Sequence, residues 1–217
     1  MYYGIDSDTA VFPSGATSHD FYIGRVGTGT SANSTYFNTT GAGLATKRYG
    51  YWGVKGPQSD PNYKIPYSMA DAQNWGKAQA TAAIAACRNN TLINTSTIFA
   101  DVELGFGGWF TTGTDINWGV FVGFIDGIRA GGKIAGVYTS RGAWQDIMGT
   151  SNSPAYASVV WGANWPSGST FDNPPSSMDG CYSINGATPT IWQYYAETGA
   201  HDPSVTGDAN IASSLPA

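Results

Sequence analysis

The chain has 217 residues, of which 12% are charged, and a formal net charge of -5 at pH 7. That length supports one large domain with a full core and is short for two, so residues 1–217 are expected to form a single domain. A negative chain this poor in charge has no basic stripe on which phosphates condense, which excludes nucleic acid as a partner, and no 18-residue apolar run marks a membrane span.

Scarce charge with abundant Gly, Ser, Thr, Asn and aromatic residues describes a neutral, hydroxyl-rich surface of the kind common in secreted proteins that handle carbohydrate. A secreted, extracellular monomer is the expectation. The opening "MYYGIDSD" enters a strand-like pattern directly, without the basic and apolar regions of an export leader. Cys87 and Cys181 are the only cysteines, either bridged or both buried thiols. His19 and His201 each stand alone beside an Asp and read as surface histidines. With no His-x-x-His or Glu-x-x-His pairing, neither a metal nor a cofactor is expected.

Along the chain, strand signals fall first at 2–6 (YYGID) and 21–27 (FYIGRVG), followed by a stretch at 28–47 without helical period that reads as a loop. A third strand at 48–54 (RYGYWGV) precedes a helix capped by Ser68, whose Ala72, Gly76, Ala80, Ala83, Ile84 and Cys87 share one face. The fourth strand, 96–103 (STIFADVE), leads to a helix starting at Thr114 or Asp115 and ending at Gly131, with Trp118, Phe121, Val122, Ile125 and Ile128 in register. A strand at 132–139, a short helix at 141–148, a strand at 157–165, a loop at 166–180, a strand at 188–195 and an eighth strand at 207–212 complete the pattern. Near-continuous apolar strands alternating with helices indicate parallel strands covered on both faces, hence an α/β barrel with some of its helices missing.

Chemistry concentrates at "ADVELG", residues 100–105. Side chains at i and i+2 of a strand project to the same side, about 6–7 Å apart at their Cα atoms, so Asp101 and Glu103 face one way. With Phe99 pointing inward, the order Phe99, Asp101, Glu103 runs from packed core to open mouth at a strand's C-terminal end, where barrel enzymes keep their reactive groups. Two like charges in a partly dry mouth raise one carboxyl's pKa and make a general acid available. The bland alternative is a strand ending in solvated acids.

Asp6 closes the first strand and Asp208 lies in the last, so four acids are expected to converge on one mouth. Trp161 and Trp192 read as core. Tyr51, Tyr138 and Trp165 are the candidates for stacking on sugar rings. Cleavage of a glycosidic bond needs this equipment: a proton donor for the leaving oxygen and a second carboxylate for the oxocarbenium-like charge.

These segments resemble the glycoside hydrolase family 25 lysozymes, the Chalaropsis-type muramidases. "YGIDSD", "FYIGRVGTG", "FADVELG", "IAGVYTS", "VVWGANW", "IWQYYAETG" and "GDANIA" are similar, in that order, to the family's G-[IV]-D, second-strand, L-D-V-E, G-[IV]-Y-[TS], W-[IV]-A-x-Y, W-Q-Y and V-D-x-N segments, over essentially the whole chain. The resemblance implies a flattened TIM-like barrel of eight strands with fewer than eight helices. It also implies retaining hydrolysis of the β-1,4 bond between N-acetylmuramic acid and N-acetylglucosamine in peptidoglycan or a related polysaccharide. Glu103 is then the general acid/base, Asp101 its partner carboxylate as nucleophile or as support for an acetamido group, and Asp6 and Asp208 the flanking acids. Trp52 is a departure, standing where the family often has His. A reading from another class is a non-catalytic or divergent glycan-binding protein on the same barrel.

Overall fold

The apolar runs become the staves of one closed sheet. A computed structural model of the chain describes residues 1–7, 18–167, 170, 173–196 and 207–217. In chain order these form β1 (Tyr2–Ser7), β2 (His19–Thr28), β3 (Ser31–Ala32), α1 (Thr39–Gly43), β4 (Ala45–Gly53), α2 (Met69–Asn89), β5 (Thr97–Asp101), α3 (Thr114–Ala130), β6 (Ile134–Ser140), α4 (Arg141–Met148), β7 (Val159–Ala163), β8 (Ile191–Tyr195) and β9 (Asp208–Ala212). The sheet order is β1-β9-β8-β7-β6-β5-β4-β2, closed by a β1–β2 pairing, with the two-residue β3 added outside β2. Eight strands and, among the described residues, four helices make the flattened α/β barrel that the resemblance implies.

Two differences from the sequence reading have clear causes. The 28–47 stretch holds β3 and α1 rather than plain loop; Asn38 caps α1 by accepting from the Gly41 N–H at 2.9 Å, an end signal with too short a helix behind it to show a period. Seven staves run parallel, but β9 is antiparallel to both β1 and β8. That reversal decides which end of β9 reaches the mouth: its first residue, Asp208, pairs with Asp6 near the C-terminal end of β1.

The period-2 alternation separates two cores. Phe21, Ile23, Tyr49, Tyr51, Phe99, Tyr138, Trp161 and Ile191 fill the barrel interior, while Tyr22, Val26, Trp52, Ile98, Ala100 and Val102 face outward against the helices. Trp52, fully buried, donates its indole N–H to the Gly29 carbonyl at 3.0 Å on this outer side, so the departure noted in the third strand lies away from the mouth. Trp161 and Trp192 are core, as expected.

The capping box at Ser68 and Asp71 starts α2, which packs along α3. The two backbones touch at Gly76 and Gly123: a Cβ on Gly76 would lie 2.1 Å from the Val120 carbonyl, and one on Gly123 equally close to that of Gln73. Cys87 and Cys181 are both free thiols. The first sits in the α2 face of the outer core and the second against Trp192 and Tyr194 in a separate cluster. His19 opens β2 at the barrel's other end; His201 and Glu197 lie outside the described residues.

Candidate active site

Extended backbone at Glu103 (φ -140°, ψ 155°) carries the alternation of β5 two residues past its end. Phe99 is inside the barrel, Ala100 and Val102 outside, and Asp101 and Glu103 follow Phe99's face. Neighbouring side chains pin this segment: the Thr139 hydroxyl donates to the Val102 carbonyl at 3.0 Å, and the Trp109 indole N–H donates to the Glu103 carbonyl at 3.0 Å. Asp101 is 4% exposed and Glu103 half-buried, so the pair steps from interior to mouth.

Tyr138 reports the convergence of the acids. It is 7% exposed and pairs with Asp101 across β5 and β6. Burial and then the charges of Glu103, Asp101, Asp6 and Asp208 hold its hydroxyl well above the usual tyrosine range. A phenol so placed stays protonated and serves as a hydrogen-bond donor. All four carboxylates read from the sequence are therefore within electrostatic reach of one hydroxyl group.

Two amides that the sequence reading did not single out hold the acids together. The Tyr138 hydroxyl donates to Gln193 Oε1 at 2.8 Å, and the Trp165 indole donates to the same oxygen at 3.3 Å. Gln193 Nε2 then donates to Asp6 (3.1 and 3.3 Å) and to Asp208 (2.9 Å). Asn210 repeats the arrangement, accepting from the Trp161 indole at 2.8 Å and donating to Asp6 at 2.7 Å. Each amide takes an N–H or O–H donor on its oxygen and turns its own N–H groups toward Asp6 and Asp208, Gln193 to both carboxylates and Asn210 to the Asp6 carboxylate and the Asp208 backbone carbonyl. Only this orientation works, because a flipped amide would set oxygen against carboxylate. Gln193 sits in β8 and Asn210 in β9, on the inner face beside acids far away in sequence; both fall within the W-Q-Y and V-D-x-N segments of the resemblance, but nothing in the local pattern assigns them a role.

Of the aromatic candidates, Tyr51 and Tyr138 form the floor of the mouth rather than its rim, at 6% and 7% exposure, both against Trp161. Trp165 is 52% exposed, its polar edge tied to Gln193 and its ring standing in the opening. Among the described residues, no group of three or more His, Cys, Asp or Glu side chains is arranged to hold a metal ion.

No family model matches the sequence, and no curated protein matches it. Solved structures do. A muramidase from Acremonium alcalophilum superposes with a TM-score of 0.61 at 18% identity, covering 99% of this chain and 95% of its own. The family GH25 lysozyme from Aspergillus fumigatus gives 0.60 at 17% identity, over 99% and 94%, and a bacterial lysozyme from Streptomyces coelicolor 0.61 at 20%, over 98% and 92%. The fold is that of the glycoside hydrolase family 25 lysozymes. Within that fold the mouth at the C-terminal ends of β1 and β5, with the start of β9, is where the acids of this chain gather.

Proposed function

We propose that the chain is a glycoside hydrolase that cleaves β-1,4 bonds of bacterial cell-wall peptidoglycan, an N-acetylmuramidase acting outside the cell. The carrying observation is the convergence of Asp6, Asp101, Glu103 and Asp208 about Tyr138, in a barrel mouth shared in fold with muramidases.

In this reading Glu103, half-buried at the mouth, protonates the leaving oxygen and later deprotonates a water. Asp101, deeper on the same face, meets the oxocarbenium-like charge, either by bonding to C1 with retention or by steadying an acetamido group that does so. Asp6 and Asp208 are held by the Gln193 and Asn210 amides, which lets two carboxylates share the wall without separating. Trp165 offers a face for a sugar ring.

Glu103→Gln keeps the shape and removes the proton donor. Its turnover of a peptidoglycan suspension, followed by turbidity and reducing ends beside chitin and glucan controls, is expected to fall by ~100- to 10,000-fold. Turnover at the wild-type rate in that variant refutes the assignment. Wild-type binding of the glycan without release of reducing ends marks a binding protein on the same barrel.

A further inference from the structure

Resting on the reading of the mouth as a glycan site, we infer that Arg25 receives a carboxylate carried by the glycan and so selects acidic, muramyl-type strands over neutral chitin. Arg25 follows Phe21 and Ile23 on the inward face of β2 and lies level with Tyr51 of β4. The β-bulge between Arg25 and Gly27 ends that regular register just at the mouth. Its guanidinium lies 4.6 Å from the centre of the Tyr36 ring and 5.0 Å from that of Phe106. Phe106 belongs to the short turn after Glu103, and its ring lies over Gly53, the residue paired with Asp101. Arg25 is thus joined to the acidic site through one ring and one glycine.

One donor of this cation stands unmatched. Its Nε is buried without a hydrogen-bond partner, and among the described residues no carboxylate forms an ion pair with it. Leaving a buried guanidinium N–H unmatched is unfavourable, and a chain with only 10 Lys and Arg spends one of them here. Two rings hold the guanidinium by cation–π contact, and a planar, two-oxygen acceptor matches the geometry of its N–H fork. A carboxylate has that shape and charge. On a muramyl strand it is either the lactyl ether's own carboxylate, when the stem peptide is absent, or a carboxylate of the stem.

The test measures binding to Glu103→Gln protein by calorimetry, with three oligosaccharides of equal length: chitin, glycan stripped of stems, and glycan with stems. Adding Arg25→Gln is expected to weaken one or both carboxylate ligands by ~10- to 100-fold and chitin by less than twofold. The ligand that loses more identifies the source of the carboxylate. Arg25→Lys keeps a cation over both rings, and with them the fold, but lacks the fork; its expected loss is smaller and again confined to carboxylate ligands. Equal losses on all three ligands, or none, overturn the inference and leave Arg25 a packing residue. Peptidoglycan turnover by the Glu103 enzyme that is indifferent to Arg25 sinks this inference but spares the hydrolase reading. Arg25-dependent binding without turnover does the reverse.

Discussion

Gln193→Glu isolates the amide hub, because it changes two donor hydrogens into an acceptor and almost nothing else. Gln193 is 1% exposed, and its Nε2 sits 2.9 Å from Asp208 and 3.1 Å from Asp6. A carboxylate in that place repels each neighbour by about 5–6 kcal/mol at an effective dielectric of ~20. Protonating the new carboxyl is cheaper: holding it neutral at pH 7 against an ordinary Glu pKa near 4.3 costs about 3.7 kcal/mol. The folded pKa is thus raised above the unfolded one. No titration penalty exists below pH ~4, and it grows by about 1.4 kcal/mol per pH unit above that, until the folded pKa is passed. A constant loss of ~1.5–3 kcal/mol adds to it, since one O–H serves only one of the two carboxylates. Between pH 5 and pH 7 the gap in melting temperature between variant and wild type is expected to widen by about 5–10 °C for a chain of this size. Thermal unfolding by circular dichroism across that range measures it. Parallel melting curves, separated by the same gap at every pH, would show that the Gln193 amide does not face Asp6 and Asp208.

Three further outcomes follow from single residues. Gly53→Ala places a Cβ 2.3 Å from the Phe106 ring and displaces the turn behind Glu103; kcat on peptidoglycan is expected to drop at least tenfold with an unchanged circular dichroism spectrum, and an unaltered kcat counts against that turn holding the acid. Trp109→Phe keeps the ring and loses the N–H to the Glu103 carbonyl, costing ~1 kcal/mol of stability and lowering kcat more than it changes KM; a change in KM alone speaks against positioning. Burial pushes the Cys87 thiol from its ordinary 9.0 up to about 12, so the folded chain holds that proton where the unfolded chain releases it. This contribution is complete below pH ~9 and is lost as pH rises toward 12, at most ~4 kcal/mol. Urea midpoints at pH 8 to 11 should fall less steeply in Cys87→Ala, and identical slopes refute the assignment.

The inward order Phe99, Asp101, Glu103 is legible in the five letters of residues 99–103, because side-chain alternation is a property of any extended backbone and needs no partner strand. The bounds of α2 and α3 were equally local, since Ser68 with Asp71 and the 3.6-residue period act within a few turns. Trp75 and Gln79 of α2 are buried although the small-residue stripe did not single them out. Their indole and amide N–H groups donate to the Lys55 carbonyl, an acceptor that appears only once the loop after β4 has folded over the helix.

By itself the sequence determined the eight staves, the longer helices and which side chains share a face, since these depend on bond geometry and burial within one segment, whereas the short β3 and α1 left no period to read. The tertiary structure alone decided that β9 runs backward, that Asp208 therefore meets Asp6, and that Gln193 and Asn210 stand between the acids. Asn210 and Asp6 are 204 positions apart. Their contact arises from closing the barrel, a pairing of distant segments whose free energy is shared by every stave and written in none of them.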